Sequence, residues 1–271
     1  MISFLIFLVY FFVFVFGLIV GSFLNCVIYR LEKNENFLKG RSRCPRCQHV
    51  LSWQDLIPVF SFLILKRRCR YCQEKISLQY PIVEIITALL FLLIFNFKFL
   101  IFKQFQIFNF LNLFYYWIIT SFLLVIFVYD LKHYIIFDKV IYPAIVLTLI
   151  FNLQFLISKQ FQTFNYSILS ALGTALFFLL IFLTSRGKWL GFGDVKLGFL
   201  MGLFLGFPKI LVALFFSYLI GAIIGIGLIF IKKKTLKSEV PFGPFLVAGT
   251  FIALFLGQKI IDWYLGLFLY K

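Results

Sequence analysis

Apolar residues in this chain collect in long blocks, near 2–24, 81–101, 111–129, 139–157, 165–184, 196–207, 209–231 and 242–266. A membrane-crossing helix needs about 20 predominantly apolar residues, so the pattern predicts an all-α polytopic membrane protein with about eight transmembrane helices. The block at 196–207 is short, and fits either a half-helix or a fusion with the next block broken at Gly206-Phe207-Pro208. The first block lacks a basic start and a small-residue cleavage site, so it reads as a permanent helix rather than a signal peptide. The only polar stretch long enough to fold by itself lies between the first two blocks. The chain therefore divides into a first transmembrane helix (1–30), a polar loop (31–80) and a transmembrane core (81–271).

Composition strengthens this picture. The set AVILMFWYC supplies 63% of 271 residues, only 13% are charged, and mean hydropathy is +1.03, against roughly 45–50% apolar and 25% charged in soluble domains. With 41 Phe against 5 Cys and 7 Pro, disordered, collagen-like and disulfide-scaffold classes are excluded. The net charge of +16 could suggest nucleic acid, but in a membrane protein it signals basic residues gathered on the cytoplasmic side. Residues 30–80 hold Arg30, Lys33, Lys39, Arg41, Arg43, Arg46, Lys66, Arg67, Arg68, Arg70 and Lys75. Alternate connections add Lys132, Lys139, Arg186, Lys188, Lys196, Lys232, Lys233, Lys234 and Lys237, whereas the opposite side has only Lys98, Lys103, Lys159, Lys209, Lys259 and Lys271. This asymmetry predicts both termini outside and the 31–80 loop in the cytoplasm. No nucleic-acid partner is expected; the bilayer is.

The loop contains Cys44-Pro45-Arg46-Cys47 and Cys69-Arg70-Tyr71-Cys72, separated by 21 residues. Two such knuckles at about this spacing read as a tetrahedral zinc site, with Cys44, Cys47, Cys69 and Cys72 as ligands. Four thiolates close the coordination shell and leave no place for water, so the metal would be structural and would stabilise a loop too short for a large core. The bland alternative is a pair of unrelated or redox-active CxxC motifs. His49 could substitute as a ligand but reads better as exposed, and Cys26 reads as packing.

Five of the ten acidic residues sit in or against apolar blocks: Glu84, Asp130, Asp138, Asp194 and Asp262. Ionisable groups at such depth are costly and are functional candidates by default. Asp130 ends the third block, and Asp194 opens the sixth in Gly191-Phe192-Gly193-Asp194-Val195-Lys196. Three crossings separate them, so both fall on the cytoplasmic side. Two neighbouring carboxylates resist joint ionisation; the charged member can take a proton from water while the protonated one polarises a peptide carbonyl. The bland readings make Asp194 a helix N-cap, Asp130 an interfacial anchor, Asp138 the cap of the next helix, Glu84 a first-turn carboxylate suited to its helix dipole, and His133 a loop residue. Gly198, Gly202 and Gly206 offer a smooth face for close packing. There is no HExxH or GxSxG, and two histidines leave little material for a His-based triad. An aspartyl protease remains.

In order along the chain stand Gly21-Ser22-Phe23-Leu24-Asn25, Val27-Ile28-Tyr29-Arg30-Leu31, the two cysteine pairs around Ile57-Pro58-Val59-Phe60-Ser61, Ile76-Ser77, Tyr80-Pro81-Ile82-Val83-Glu84, Asp130, Gly191 to Lys196, and Pro241-Phe242-Gly243-Pro244-Phe245. Taken together they resemble the prepilin peptidase (type IV leader peptidase) family of bacterial pilus, type II secretion and competence systems. The resemblance implies a multi-pass enzyme of the bacterial inner membrane, with Asp130 and Asp194 as the catalytic pair and zinc on the four cysteines. It implies prepilin or pseudopilin substrates cleaved after glycine at the cytoplasmic face, and N-methylation of the new amine with S-adenosylmethionine, to which no residue is assigned. The 31–80 loop would then be the methyltransferase-associated region and 81–271 the peptidase core. Arg67, Gln48 and Gln73 stand where the family usually or often has Gly, and Phe137 where it usually has Pro. The competing readings are a proton-coupled transporter using Asp130 and Asp194, an assembly scaffold built on the zinc loop, and a GxGD-type intramembrane protease with another substrate. A substrate helix is expected to dock on Phe- and Gly-rich surfaces near the third and sixth blocks.

Overall fold

A computed structural model describes residues 2–36, 40–99, 107–157, 160–230 and 240–269. Of the basic residues counted above, Lys39, Lys103, Lys159, Lys232, Lys233, Lys234, Lys237 and Lys271 lie outside the described residues. Every apolar block forms a helix: α1 (Ile2–Glu32), α3 (Gln79–Phe99), α4 (Ile107–His133), α5 (Asp138–Ile157), α6 (Phe161–Ser185), α7 (Phe192–Leu205), α8 (Lys209–Phe230) and α9 (Gly243–Leu269). A five-residue helix, α2 (Phe60–Ile64), lies in the polar loop behind a 3₁₀ turn at Trp53–Leu56, and neither was expected. Among the described residues there is no strand, only isolated bridges.

Among the described residues seven helices are long and apolar enough to cross a membrane, making this a multi-pass membrane protein. The sixth block, α7, has 14 residues, about 21 Å at 1.5 Å per residue, and falls short of a full span. It is separate from α8, since Gly206 at φ +67° ends it.

The chain folds as two compact units, Met1–Val125 and Ile126–Lys271, with α4 running across the division. In the first, α1 lies backbone-to-backbone on α3: a Cβ on Gly17 would fall 2.5 Å from Ala88 Cα, and one on Gly21 would fall 2.6 Å from Glu84 Cα. Such close approach is how helices gain packing energy where lipid removes the hydrophobic drive. Trp117 stacks on Phe91 at 4.9 Å and donates its indole N–H to the Phe91 carbonyl at 3.1 Å.

Three buried polar side chains on these helices hold the loop. Asn25 Nδ2 donates to the Tyr80 carbonyl at 3.0 Å, Arg30 Nη2 donates to Gly40 O at 2.8 Å, and Glu84 Oε2 accepts the Val59 N–H at 2.8 Å. Val59 has φ +61° and ψ −48°, and the next amide, Phe60 N–H, bonds back to Pro58 O at 2.6 Å. This is a γ-turn of the strained hand, centred on a β-branched residue that strongly avoids positive φ.

In the second unit the short α7 is the interior element. Leu197, Leu200, Met201 and Leu203 are fully buried. Gly198 meets the Phe178 ring and Thr174, and Gly202 meets the Ala171 backbone of α6, so the smooth face expected at Gly198 and Gly202 is used for packing, whereas Gly206 serves as the helix stop. Asn152 of α5 donates to Leu203 O at 3.2 Å. An overpacked contact of this kind costs about 1–3 kcal/mol. Gly202→Leu is therefore expected to lower the melting temperature in detergent by several degrees, while Gly225→Leu, whose Cβ would meet nothing within 4 Å, leaves it unchanged; equal melting curves would contradict the packing described.

Candidate active site and cysteine cluster

Asp130 and Asp194 both belong to the second unit, and both are buried. Asp130 lies in the last turn of α4, where a negative charge gains nothing from its own helix dipole. Its carboxylate reaches the start of α9 and accepts the Gly243 N–H, one of the donors a helix N-terminus leaves unsatisfied. A Cβ on Gly243 would fall 2.6 Å from Asp130 Oδ2, so only glycine fits there. Asp194 sits in the first turn of α7, and its Oδ2 accepts the Gly191 N–H at 3.0 Å. Asp194 is therefore not the N-cap residue of the bland reading: Gly191 holds that position, and Asp194, three residues on, reaches back to its N–H through one oxygen, while its charge also interacts with that of Asp130. Both acids therefore take a backbone donor at a helix N-terminus. Ile136, in the turn after α4, packs against both Gly193 and Gly243.

Lys196, two residues beyond Asp194, pairs with Asp138 at 2.5 Å and lies 4.9 Å from the centroid of the Tyr142 ring. Asp138 opens α5, and its carboxylate ties the first turns of α5 and α7 together. His133 packs its ring on Tyr129 at 4.5 Å. Asp262 is exposed and accepts Gln258 Nε2 on its own helix at 2.9 Å. Glu84 is engaged by Val59 and Ser22, within the first unit. None of these four joins the aspartate pair.

The two CxxC segments form matching knuckles. Cys44 N–H bonds to His49 O at 3.0 Å and Cys69 N–H to Glu74 O at 2.8 Å; Gln48 and Gln73 N–H return to Cys44 and Cys69 carbonyls, each at 3.0 Å. Gln48 and Gln73 both have φ +59°, and Arg67 has φ +64°. Three of the sequence departures thus fall where the backbone is left-handed and glycine costs least. The two glutamines compensate by donating side-chain amides to Pro45 O at 3.1 Å and Arg70 O at 3.3 Å. The four Sγ atoms lie within 4.8 Å of one another, with Cys44 and Cys72 3.9 Å apart. Tetrahedral zinc with Zn–S of about 2.3 Å needs S···S near ~3.8 Å, so the cluster fits the ion. His49 stays outside it, exposed and stacked on Tyr71 at 3.7 Å.

Burial opposes ionisation of Cys44, but the backbone N–H groups of Cys47 and Arg46 and the thiols of Cys47 and Cys69 outweigh it and bring Cys44 down to about 7. At Cys72 the Glu74 N–H favours the thiolate, yet desolvation and the three neighbouring thiols push it up to about 11. One negative charge is welcome in the cluster and further ones are resisted, a balance that a divalent cation reverses. Asp55, desolvated but held below the usual carboxylate range by Ser52 and Arg70, accepts Ser52 Oγ and Arg70 Nε, each at 2.8 Å, and so ties the 3₁₀ turn to the second knuckle.

Fold and site define a class: a polytopic α-helical membrane protein with two buried aspartates, each held by a backbone N–H at a helix N-terminus, and a four-thiol loop. Residues 15–97 match the family model of the bacterial peptidase A24 N-terminal domain, and residues 117–226 that of the type IV leader peptidase family. The chain is 32% identical to a prepilin leader peptidase/N-methyltransferase of Aeromonas salmonicida over 94% of this chain and 93% of the relative. It is also 32% identical to proteins of that name from Legionella pneumophila (93% and 92% covered) and Bacillus subtilis (93% and 96%). No solved structure matches. The chain belongs to the prepilin leader peptidase/N-methyltransferase family, and is accordingly an enzyme.

Two outcomes follow for the cysteine cluster. Purified under reducing conditions, the protein is expected to carry about one zinc per chain, lost when Cys44 and Cys69 become Ser; metal-free wild-type protein would refute the site. Because Cys44 ionises more readily folded than unfolded, its contribution to the metal-free loop is present above the ordinary thiol range and lost as pH falls through about 7,. Zinc retention should weaken as pH falls, since protons compete with the metal for the thiolates. Separately, Gln73→Gly should leave the loop as stable or more so, whereas Gln73→Val should destabilise it by about 1–2 kcal/mol, read from the protease resistance of the 31–80 segment.

Proposed function

We propose that the protein is a membrane aspartyl endopeptidase that removes the leader of type IV prepilins or pseudopilins, cleaving after glycine, with Asp130 and Asp194 as the catalytic pair. The carrying observation is the convergence of two buried carboxylates from α4 and α7, each held by a glycine N–H. One carboxylate, ionised, takes a proton from a water molecule, and the resulting hydroxide attacks the scissile carbonyl carbon. The other, protonated, donates to the carbonyl oxygen and stabilises the developing charge. Collapse of the tetrahedral intermediate breaks the C–N bond, and the leaving amine takes a proton from the pair. Gly191 leaves room for a substrate backbone beside Asp194, since glycine permits close approach, whereas the open side of Gly193 is taken by Ile136.

The names of the relatives support a second step, N-methylation of the freed amine. S-Adenosylmethionine, when bound, supplies that methyl group. In this reading Cys44, Cys47, Cys69 and Cys72 hold a structural zinc that fixes the 31–80 loop as the methyltransferase-associated region, and 81–271 is the peptidase core. The positive-inside bias supports insertion in the bacterial inner membrane with both termini outside and the loop in the cytoplasm. The aspartates would then face the compartment where prepilin leaders reside.

Asp130→Asn and Asp194→Asn are each expected to cut leader cleavage by several orders of magnitude, as for triad-type knockouts, while membrane insertion is retained. Cleavage of a prepilin in proteoliposomes at the wild-type rate by either variant would overturn the assignment. The wild-type kcat/KM should be bell-shaped in pH, its two limbs belonging to the pair rather than to either acid alone.

A further inference from the structure

In the second unit α6 packs on α7 and α8 packs on α9. Between α6 and α8 an open groove of about 680 Å³ remains, with Ser170, Gly173 and Phe177 on one wall and Leu211, Leu214 and Tyr218 on the other. Its surface is apolar in effect. The Ser170 and Thr174 hydroxyls are spent on their own helix, donating to Tyr166 O at 2.5 Å and Ser170 O at 2.7 Å. A Cβ on Gly173 would meet nothing within 4 Å, so the α6 wall is hollow at its middle. The lining runs on α6 from Tyr166 to Phe177, about 16 Å at 1.5 Å per residue.

The two ends differ. At one, Tyr166 meets Phe207 at 6.1 Å. At the other, Tyr218 meets Phe177 at 6.4 Å and Phe242 at 5.1 Å; Phe242 directly precedes Gly243, the donor to Asp130, and Tyr218 feels the charge of Asp194. The groove thus starts beside the two acids and runs along the helices away from them.

We propose that this groove, on the fifth and seventh apolar blocks rather than near the third and sixth as the sequence suggested, receives the first three turns of the apolar helix that follows the scissile bond in the substrate. The inference rests on the reading of Asp130 and Asp194 as catalytic. Apolar helices associate in lipid through close packing against small residues rather than through hydrophobicity, and the hollow at Gly173, flanked by Ser170 and Thr174, offers such a surface. A helix of about eleven residues fills the 16 Å and places its N-terminal end, where the leader is joined, at the acids. Holding the substrate in the same bilayer adds an effective-concentration advantage, so recognition needs little contact with the leader.

The test uses full-length enzyme in liposomes with a substrate of basic leader, Gly–Phe junction and an apolar helix of about 20 residues. A benzophenone amino acid at position 214 should cross-link to the first eleven residues of that helix, in wild-type and in Asp130→Asn enzyme alike. Gly173→Trp, which fills open space, should raise KM about tenfold with kcat within about twofold; the factor in KM corresponds to about 1.4 kcal/mol of lost binding. Gly225→Trp, on α8 outside the groove, should leave both constants unchanged. Cutting the substrate helix to six residues should slow cleavage more than neutralising its leader. Cross-links to lipid alone, or an unaltered KM in Gly173→Trp, would overturn the groove. Cleavage surviving in Asp130→Asn would overturn the catalytic reading instead, with the cross-link still reporting on the groove.

Discussion

A carboxylate taken out of water must find donors, and that need organises this protein. Asp130 accepts from Gly243, Asp194 from Gly191, and Glu84 from Val59. Each of the three is buried, and each relies on a main-chain N–H rather than on a lysine or arginine. For an enzyme the difference matters: a cation would neutralise the acid and occupy its lone pairs, whereas one amide orients the group and leaves it reactive. The requirement propagates outward. Gly243 can carry no side chain because the Asp130 oxygen fills that space, and Ile136 fits only because Gly193 and Gly243 both lack one.

Placement of Asp194 depends in turn on α7, a helix too short to span a bilayer by itself. Its 14 residues stay in the protein interior because α6 approaches at Gly198 and Gly202 and because Asn152 caps the Leu203 carbonyl from α5. A short helix inside a membrane protein puts its N-terminus, with its unpaired donors, at a depth that a full-length span would carry to the surface. The Lys196–Asp138 pair then fixes the rotation of that N-terminus against α5.

The long blocks of apolar residues made all eight principal helices legible, because a bilayer imposes length and hydropathy on each segment independently. Cysteine spacing likewise disclosed the four-thiol cluster, since a knuckle is a local structure. Less local features did not show. Gly243 stood out only as part of a family pattern, and nothing in the residues alone said that its amide meets an aspartate 113 positions earlier. Ile136 looked like any apolar loop residue. The γ-turn at Val59 was invisible because its residue type argues against positive φ; it exists because Glu84, on another element, holds its N–H. Conversely, the sequence departures at Gln48, Gln73 and Arg67 acquire meaning only once their left-handed backbone is seen.

The γ-turn at Val59 and the four-thiol cluster lie in the first unit, and the aspartates lie in the second. The loop hangs from α1 and α3 through Arg30, Asn25 and Glu84, and is braced internally by Asp55. None of these contacts involves Gly191 or Gly243. Withdrawal of a metal bound at the thiols would loosen the knuckles without removing either of these donors from the aspartates. The thiol cluster is shaped by its own backbone pattern, and the acid pair is held by helix N-termini. Loss of the loop's order removes neither the Gly243 donor to Asp130 nor the Gly191 donor to Asp194, so peptide cleavage is predicted to outlast it.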